Sequence, residues 1–153
     1  MHRTPLLAAT LLFLAAAAHP GTRHYAGQRA TAPPEPTHTV WDSVYTDSQA
    51  TAAESTYKRS CANCHGAALE GAQDGGPLTG PIFLTNWQSL TLADLQDKIR
   101  ATMPPDTPNT IPPSAVADLV ALVLERNQFP AGTKPLTPEP ERLKDVKIVP
   151  GRP

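Results

Sequence analysis

The sequence predicts an all-α fold with three main helices. Three stretches between residues 46 and 130 place apolar side chains at intervals of three and four residues. No segment alternates apolar and polar residues as a half-buried strand does. No internal repeat is visible, so one small helical domain accounts for the pattern.

The first helix is predicted to begin at Thr46. Thr46 and Gln49 have the spacing of a capping box, in which a threonine hydroxyl accepts a hydrogen bond from the third residue of the helix. Ala50, Ala53 and Tyr57 then follow at helical spacing. We therefore expect a helix that runs up to Cys61.

The second and third helices have equally clear signals. Thr91 and Asp94 form another potential capping box, and Leu92, Leu95 and Ile99 continue the pattern. The third helix is expected to start near Pro112 and Pro113, since proline is favoured in a first turn. Its apolar face consists of Val116, Leu119, Val120, Val123 and Leu124.

A glycine- and proline-rich loop separates the first two helices. Its members are Gly66, Gly71, Gly75, Gly76, Pro77, Gly80 and Pro81. Glycine and proline disfavour a continuous helix, so we expect an irregular segment here.

Composition divides the chain into four parts. Arg3 precedes an apolar run, Leu6–Ala18, which ends in small residues and predicts a signal peptide over residues 1–18. The run is shorter than a membrane span, so we expect no span after processing, although an uncleaved anchor stays open. Residues 19–45 are predicted to be a tether, 46–130 the domain and 131–153 a proline-rich tail wrapped on its surface. Neither end is expected to add much to the core.

Charge gives few clues to binding partners. The chain has 13 lysines and arginines and 14 aspartates and glutamates, and residues 46–130 hold five of the former and nine of the latter. This mildly acidic balance does not favour nucleic acid as a partner.

The most informative motif is Cys61-Ala62-Asn63-Cys64-His65. Cys-x-x-Cys-His is the spacing of c-type haem attachment, in which two thiols bond the porphyrin and the histidine ligates iron. A thioredoxin-like redox pair, a zinc site and a structural disulfide are the alternatives. A signal peptide agrees with the haem interpretation, because it would deliver the chain to an oxidising compartment outside the cytoplasm.

A second axial ligand is suggested by elimination. Met1 lies in the signal peptide, which leaves Met103 as the methionine of the mature chain, just before Pro104 and Pro105. A core-filling role for Met103 stays open. His24 and His38 are rival ligands, but both lie in the predicted tether.

Two further features concern the surroundings of the predicted haem. A ligating histidine usually donates its second ring hydrogen to a carbonyl or carboxylate, so we expect a carbonyl of the glycine-rich loop to accept from His65. Trp87 and Phe83 are candidate walls of the haem pocket, or simple core aromatics.

Between Thr46 and Pro130 the chain resembles the class I bacterial cytochromes c, which are small monohaem electron carriers. The shared features are Tyr57 four residues before Cys61, Gly76-Pro77-Leu78, the run from Trp87 to Met103, and Ala117–Ala121. The resemblance implies a cytochrome c-like fold whose first and third helices cross. It also implies thioethers to Cys61 and Cys64 and iron ligation by His65 and Met103.

By the same resemblance, the carbonyl of Pro77 accepts the hydrogen bond from the proximal histidine. The chain departs from the family at the helix crossing, where Ala53 and Leu122 replace the usual glycine and aromatic residue. Looser packing is expected there. Similar sequences occur as haem domains or partners of quinoprotein dehydrogenases, which is analogy alone.

The predicted function is electron transfer in the periplasm by one covalent haem c. We expect a monomeric carrier, not an enzyme, whose partners are redox proteins such as a dehydrogenase and an oxidase. The alternatives are a peroxidase-like enzyme or gas sensor with an open iron site, and a subunit docked on a larger dehydrogenase. Met103 separates carrier from open-site protein, since a filled sixth position leaves no site for a substrate.

Overall fold

The computed structural model describes residues 38–153. The predicted signal peptide and residues 19–37 of the predicted tether lie outside the described residues. The elements, in chain order, are β1 (His38–Thr39), α1 (Asp47–Ser60), α2 (Ala62–His65), α3 (Gly80–Trp87), α4 (Leu92–Thr102), α5 (Pro113–Arg126), a 3-10 helix (Pro140–Leu143) and β2 (Val146–Lys147). The expected all-α class is confirmed, and α1, α4 and α5 are the three expected main helices.

Helix α4 begins as the sequence predicts. The Thr91 hydroxyl accepts from the Asp94 amide, and the Asp94 carboxylate accepts from the Thr91 amide. The two hydrogen bonds make a complete capping box, which satisfies amides that the first helical turn leaves unpaired. The hydrogen bonds from Thr91 also hold the pKa of Asp94 below its usual range.

Helix α1 has only half of its expected capping box. The Thr46 hydroxyl accepts from the Gln49 amide at 3.4 Å, but the Gln49 side chain does not return to the cap. It binds Leu136 instead, donating to the Leu136 carbonyl at 3.0 Å and accepting from the Leu136 amide at 2.6 Å. The Gln49 side chain, which the local spacing assigned to the cap, therefore bonds to a distant segment of the chain.

Helix α3 occupies part of the segment that we expected to be irregular. It begins with Gly80 and Pro81, and proline fits a first helical turn because the amide it lacks would have no partner there. The Gly80 amide is also satisfied, by the side chain of Asn127 at 3.0 Å. The irregular loop is therefore shorter than predicted and ends at Thr79.

Helices α1 and α5 make the most extensive helix contact of the domain. Ala53 and Leu122, the two departures from the family pattern, are both buried, at 1% exposure each. The pair of side chains therefore fills space in the core, and neither residue is left facing solvent.

The N-terminal segment before α1 differs from the expected tether from residue 38 onward. Val40 and Tyr45 are buried, and the Tyr45 hydroxyl donates to the Phe129 carbonyl at 2.7 Å. Burial raises the pKa of Tyr45 to about 12, with Glu125 and Asp47 adding to the rise, so the phenol stays a donor at neutral pH. An aromatic side chain with a buried partner outweighs the polar composition around it.

The proline-rich tail is the largest difference from the sequence expectation. It was expected to add little to the core, yet Leu136, Leu143 and Ile148 are at most 5% exposed. Prolines keep the backbone extended, and these widely spaced aliphatic residues turn inward between them. The core of the described unit therefore includes segments on both sides of residues 46–130.

The first and last strands of the described residues form a short parallel pair. β1 pairs with β2 in the register His38 to Val146 and Thr39 to Lys147. The adjacent Trp41 side chain donates from Nε1 to the Val149 carbonyl at 3.1 Å. Among residues 38–153, none of the helices is long and apolar enough to cross a membrane.

Candidate haem-binding site

All six site residues singled out from the sequence line one cavity of about 410 Å³. They come from the residue that caps α1, from α2, the glycine-rich loop and α3, and from the residue that caps α4, and they are Cys61, Cys64, His65, Pro77, Trp87 and Met103. Residues up to 42 positions apart in sequence therefore share one space.

The junction of α1 and α2 positions the cysteines and the histidine. Cys61 caps the C-terminal end of α1, and its carbonyl accepts from the amides of Cys64 at 3.1 Å and His65 at 2.9 Å. This tight turn keeps the three side chains on the cavity side of the chain, and both cysteines are free thiols. Two thiols three residues apart followed by an imidazole fit the attachment of a haem edge and the ligation of its iron.

Burial affects the chemistry of the first thiol. It raises the pKa of Cys61, and the nearby Cys64 adds to the rise. Since the thiolate is the reactive form of cysteine, a raised pKa favours the protonated thiol of Cys61, which reacts less readily with oxidants.

The ring of His65 is oriented by the glycine-rich loop. Its Nδ1 lies 2.8 Å from the carbonyl oxygen of Gly76. A loop carbonyl was expected here, but the resemblance assigned it to Pro77, which is wrong by one residue. Pro77 lines the cavity instead. With Nδ1 engaged by a carbonyl, Nε2 is the ring nitrogen left to face an iron.

The loop reaches the histidine because Gly75 has no side chain. A Cβ at Gly75 would lie 2.5 Å from the Cys64 carbonyl oxygen and 3.0 Å from Nδ1 of His65. A further hydrogen bond, from the Gly71 amide to the His65 carbonyl at 2.7 Å, fixes the same loop. From the sequence, these glycines are expected only to break a helix, although glycine also allows the backbone to approach a neighbouring group closely.

Tyr57 anchors the start of the loop. Its hydroxyl donates to the Gly66 carbonyl at 2.7 Å, and its ring lines the cavity. Burial raises its pKa to about 12, with Cys61 and Glu70 contributing, so Tyr57 remains a hydrogen-bond donor at neutral pH. Tyr57 was identified from the sequence as a feature shared with the family, but its hydrogen-bond acceptor, the Gly66 carbonyl, was not predicted.

The end of helix α4 places Met103 at the cavity. Leu95 and Ile99 are four residues apart and share one face of α4, Met103 is the extended residue that caps the helix, and all three line the cavity. The Met103 amide donates to the Ile99 carbonyl at 2.9 Å, which ties this residue to the last turn of the helix. Pro104 and Pro105 then prevent the helix from continuing.

The remaining walls are mostly apolar. Phe83 and Trp87 lie on α3 with ring centroids 6.0 Å apart, and Leu119 and Val123 face the cavity one turn apart on α5. Two exposed charged residues, Asp74 and Lys98, lie at its open side and were not anticipated from the sequence. A cavity of this composition suits a large, flat, mainly apolar group with an accessible edge.

A family comparison agrees with the geometry. Residues 48–123 match the family model described as cytochrome C oxidase, cbb3-type, subunit III. The match runs from the start of α1 into α5, and it supports a c-type cytochrome. The cofactor of such a domain is covalently attached haem c. No curated protein and no solved structure matched this chain.

Proposed function

We propose that this chain, whose residues 48–123 carry the features of a c-type cytochrome, is a periplasmic electron carrier of the class I type. The observation that supports it most is a single apolar cavity that contains Cys61, Cys64, His65 and Met103. Electron transfer fits this arrangement, because haem ligated by histidine and methionine is typical of cytochromes c.

Each of the four side chains has a distinct proposed role. The sulfur atoms of Cys61 and Cys64 would hold the porphyrin through thioether bonds. His65 would ligate iron through Nε2, since its Nδ1 faces the Gly76 carbonyl. Met103 would supply a second iron ligand through its thioether sulfur.

When bound, the haem supplies one-electron chemistry by alternating between ferric and ferrous iron. The chain's own residues tune that exchange. Phe83, Trp87 and Leu119 exclude water and surround the site with apolar surface, which disfavours the extra positive charge of the ferric form. A thioether ligand acts in the same direction, so we expect a relatively high potential.

Carrier and enzyme are separated by the coordination of Met103. If His65 and Met103 both ligate the iron, no coordination position would remain for peroxide or a gas. The open-site alternative requires Met103 to be a packing residue only. An optical spectrum of the purified ferric protein tests this directly, because methionine ligation gives a weak far-red charge-transfer band.

The covalent attachment has a separate test. The intact mass of the purified protein should exceed that of the mature polypeptide by one haem, and acidified organic solvent should not extract the haem. Cys61→Ala paired with Cys64→Ala should abolish retention. Extraction of free haem from the unmodified protein would contradict the assignment.

A second candidate role is that of a subunit in a terminal oxidase. The description of the matching family model favours it, since that family is named for subunit III of a cbb3-type cytochrome oxidase. Separation of soluble and membrane fractions, followed by purification in mild detergent, distinguishes the two roles. A free carrier is recovered alone from the soluble fraction, whereas a subunit remains with a larger haem-containing complex in the membrane fraction.

One argument for a subunit docked on a larger dehydrogenase is weakened by the structure. It treated the proline-rich ends as docking segments, but Leu143 and Ile148 of the tail are buried within the domain. Location in the periplasm rests on the apolar run of residues 6–18. N-terminal sequencing of the mature protein would show whether this run is removed.

A further inference from the structure

Helix α4 is the element that presents Met103, so whatever fixes α4 also fixes the proposed ligand. Leu95 and Ile99 on one face of α4, and Met103 as the residue that caps it, line the cavity. The connection before the helix, residues 88–91, joins it to Trp87 on another cavity wall. The position of this connection therefore affects both cavity walls, the one formed by α4 and the one that includes Trp87.

The C-terminal tail binds this connection through its backbone. The Ile148 amide donates to the Leu90 carbonyl at 2.9 Å, and the Ser89 amide donates to the Ile148 carbonyl at 3.0 Å. Lys147 forms an antiparallel bridge with Thr91, the capping residue of α4. Residues 147 and 148 thus pair with the three consecutive residues that immediately precede the helix.

The tail is itself held from its other edge. The Val40 amide donates to the Lys147 carbonyl at 3.0 Å, and β1 pairs with β2 beside it. Ile148 and Val40 are both fully buried. The tail segment therefore lies between the N-terminal segment and the start of α4, with partners on both sides.

A second contact lies further along α4. The Gln96 side chain, 2% exposed, donates to the Thr137 carbonyl at 2.8 Å. The 3-10 helix packs on α4 and places Leu143 in the core. The tail therefore restrains α4 at its capping residue and at its middle, while Met103 occupies its far end.

We propose that the segment 146–148 is a clamp, with Ile148 as a positioning residue that holds α4 so that Met103 stays on the iron. A helix is stiff over 11 residues, so freedom at its first turn becomes movement at its last. The inference rests on the proposed ligation by Met103. It assigns a role in ligand retention to a segment about 45 residues away in sequence.

The test uses the full holoprotein and the binding of cyanide to ferric iron, which requires Met103 to leave. Ile148→Ala should bind cyanide about tenfold faster than the unmodified protein, because local opening near the helix start becomes more frequent. Its far-red band should also disappear at a lower temperature than its far-ultraviolet circular dichroism. That separation marks loss of the ligand before unfolding.

Leu122→Ala is the matched control. Leu122 is equally buried and aliphatic, but it lies on α5, which makes no hydrogen bond with residues 146–148 in the described part of the chain. Leu122→Ala should lower the free energy of unfolding about as much as Ile148→Ala does, because each removes a buried aliphatic side chain. Its cyanide-binding rate should stay within about threefold of the unmodified protein, since a general loss of stability does not release the ligand selectively.

The outcomes distinguish the clamp from the function on which it rests. Equal acceleration in both variants, or none in Ile148→Ala, would overturn the clamp while the far-red band of the unmodified protein upholds Met103 ligation. If Ile148→Ala does not retain haem, Ile148→Val replaces it: its far-red band should disappear at a lower temperature than its far-ultraviolet circular dichroism, and coincident transitions would refute the clamp. Absence of the band in the unmodified protein would overturn both proposals.

Discussion

The Nδ1 atom of His65 lies 2.8 Å from the carbonyl oxygen of Gly76. This hydrogen bond ties the proposed proximal ligand to a loop whose close approach depends on Gly75. A carbonyl that accepts from a ligating imidazole makes the other ring nitrogen a better electron donor. The loop therefore affects the electronic properties of the site as well as its shape.

Gly75→Ala should raise the reduction potential. Its Cβ would meet the Cys64 carbonyl oxygen at 2.5 Å, so the loop must withdraw and the hydrogen bond to His65 must lengthen. A weaker donor stabilises ferric iron less. We expect an upward shift on the order of tens of millivolts, since a tenfold change in relative ferric stability equals about 59 mV for one electron. Redox titration measures it.

Gly76→Ala is the control for this prediction. A Cβ at Gly76 has no heavy atom within 4 Å, and the residue keeps its carbonyl. Its potential should match that of the unmodified protein. If both alanine variants shift the potential equally, the effect comes from loop entropy and not from the contact of Gly75 with the histidine turn.

Thr91→Ala should destabilise the protein by about 1 kcal/mol at neutral pH, the usual cost of losing a helix cap. The effect depends on pH, because hydrogen bonds from Thr91 lower the pKa of Asp94 in the folded state. That stabilisation is complete above the unfolded pKa of about 4 and is lost as pH falls through the folded pKa. Thermal unfolding from pH 7 to pH 3 should therefore show the difference between the proteins shrinking. A constant difference would mean that Asp94 is not involved.

Local signals in the sequence predicted much of the fold. Thr91 and Asp94 are three residues apart, and their mutual hydrogen bonds follow from that spacing alone. The same rule failed for Gln49, whose side chain binds Leu136, 87 residues away. Spacing within one helical turn cannot reveal a partner from a distant segment.

The candidate site was predictable in its members more than in its contacts. Spacing and the family resemblance selected Cys61, Cys64, His65 and Met103, and the structure brings them to one cavity. The acceptor of the histidine hydrogen bond was misassigned by one residue, because the path of an irregular loop is set by close packing around Gly75. The composition of the tail also gave a wrong expectation, namely that it adds little to the core. Leu136, Leu143 and Ile148 are buried, but they are too widely spaced in sequence to show a period.

Truncation after Pro130 should prevent stable folding around haem. It removes three buried aliphatic side chains, each of which contributes about 1.5–3 kcal/mol when fully buried. Their total is comparable with the ~5–15 kcal/mol stability of a typical domain. Circular dichroism and haem content of the purified variant test this.

Truncation after Pro150 is the matched control for the tail. It removes only exposed residues, including Arg152, whose guanidinium lies 5.7 Å from the Trp41 ring centroid. An exposed cation–π contact is worth about 0.5–1 kcal/mol, so this variant should fold and retain haem. A stable, haem-loaded protein ending at Pro130 would show instead that the tail is dispensable.

Met103→Ala distinguishes the electron carrier from a haem protein with an open iron site. If Met103 ligates iron, the variant should lose the far-red charge-transfer band and its potential should fall, because the lost thioether favours ferrous iron. It should bind cyanide more tightly, since the sixth position becomes accessible. Ile99→Ala supplies the control, because Ile99 lines the same cavity one turn earlier on α4 but has no sulfur. That variant should keep the band. If Met103→Ala leaves band, potential and cyanide affinity unchanged, Met103 only packs against the cavity and the open-site alternative becomes the better explanation of the same geometry.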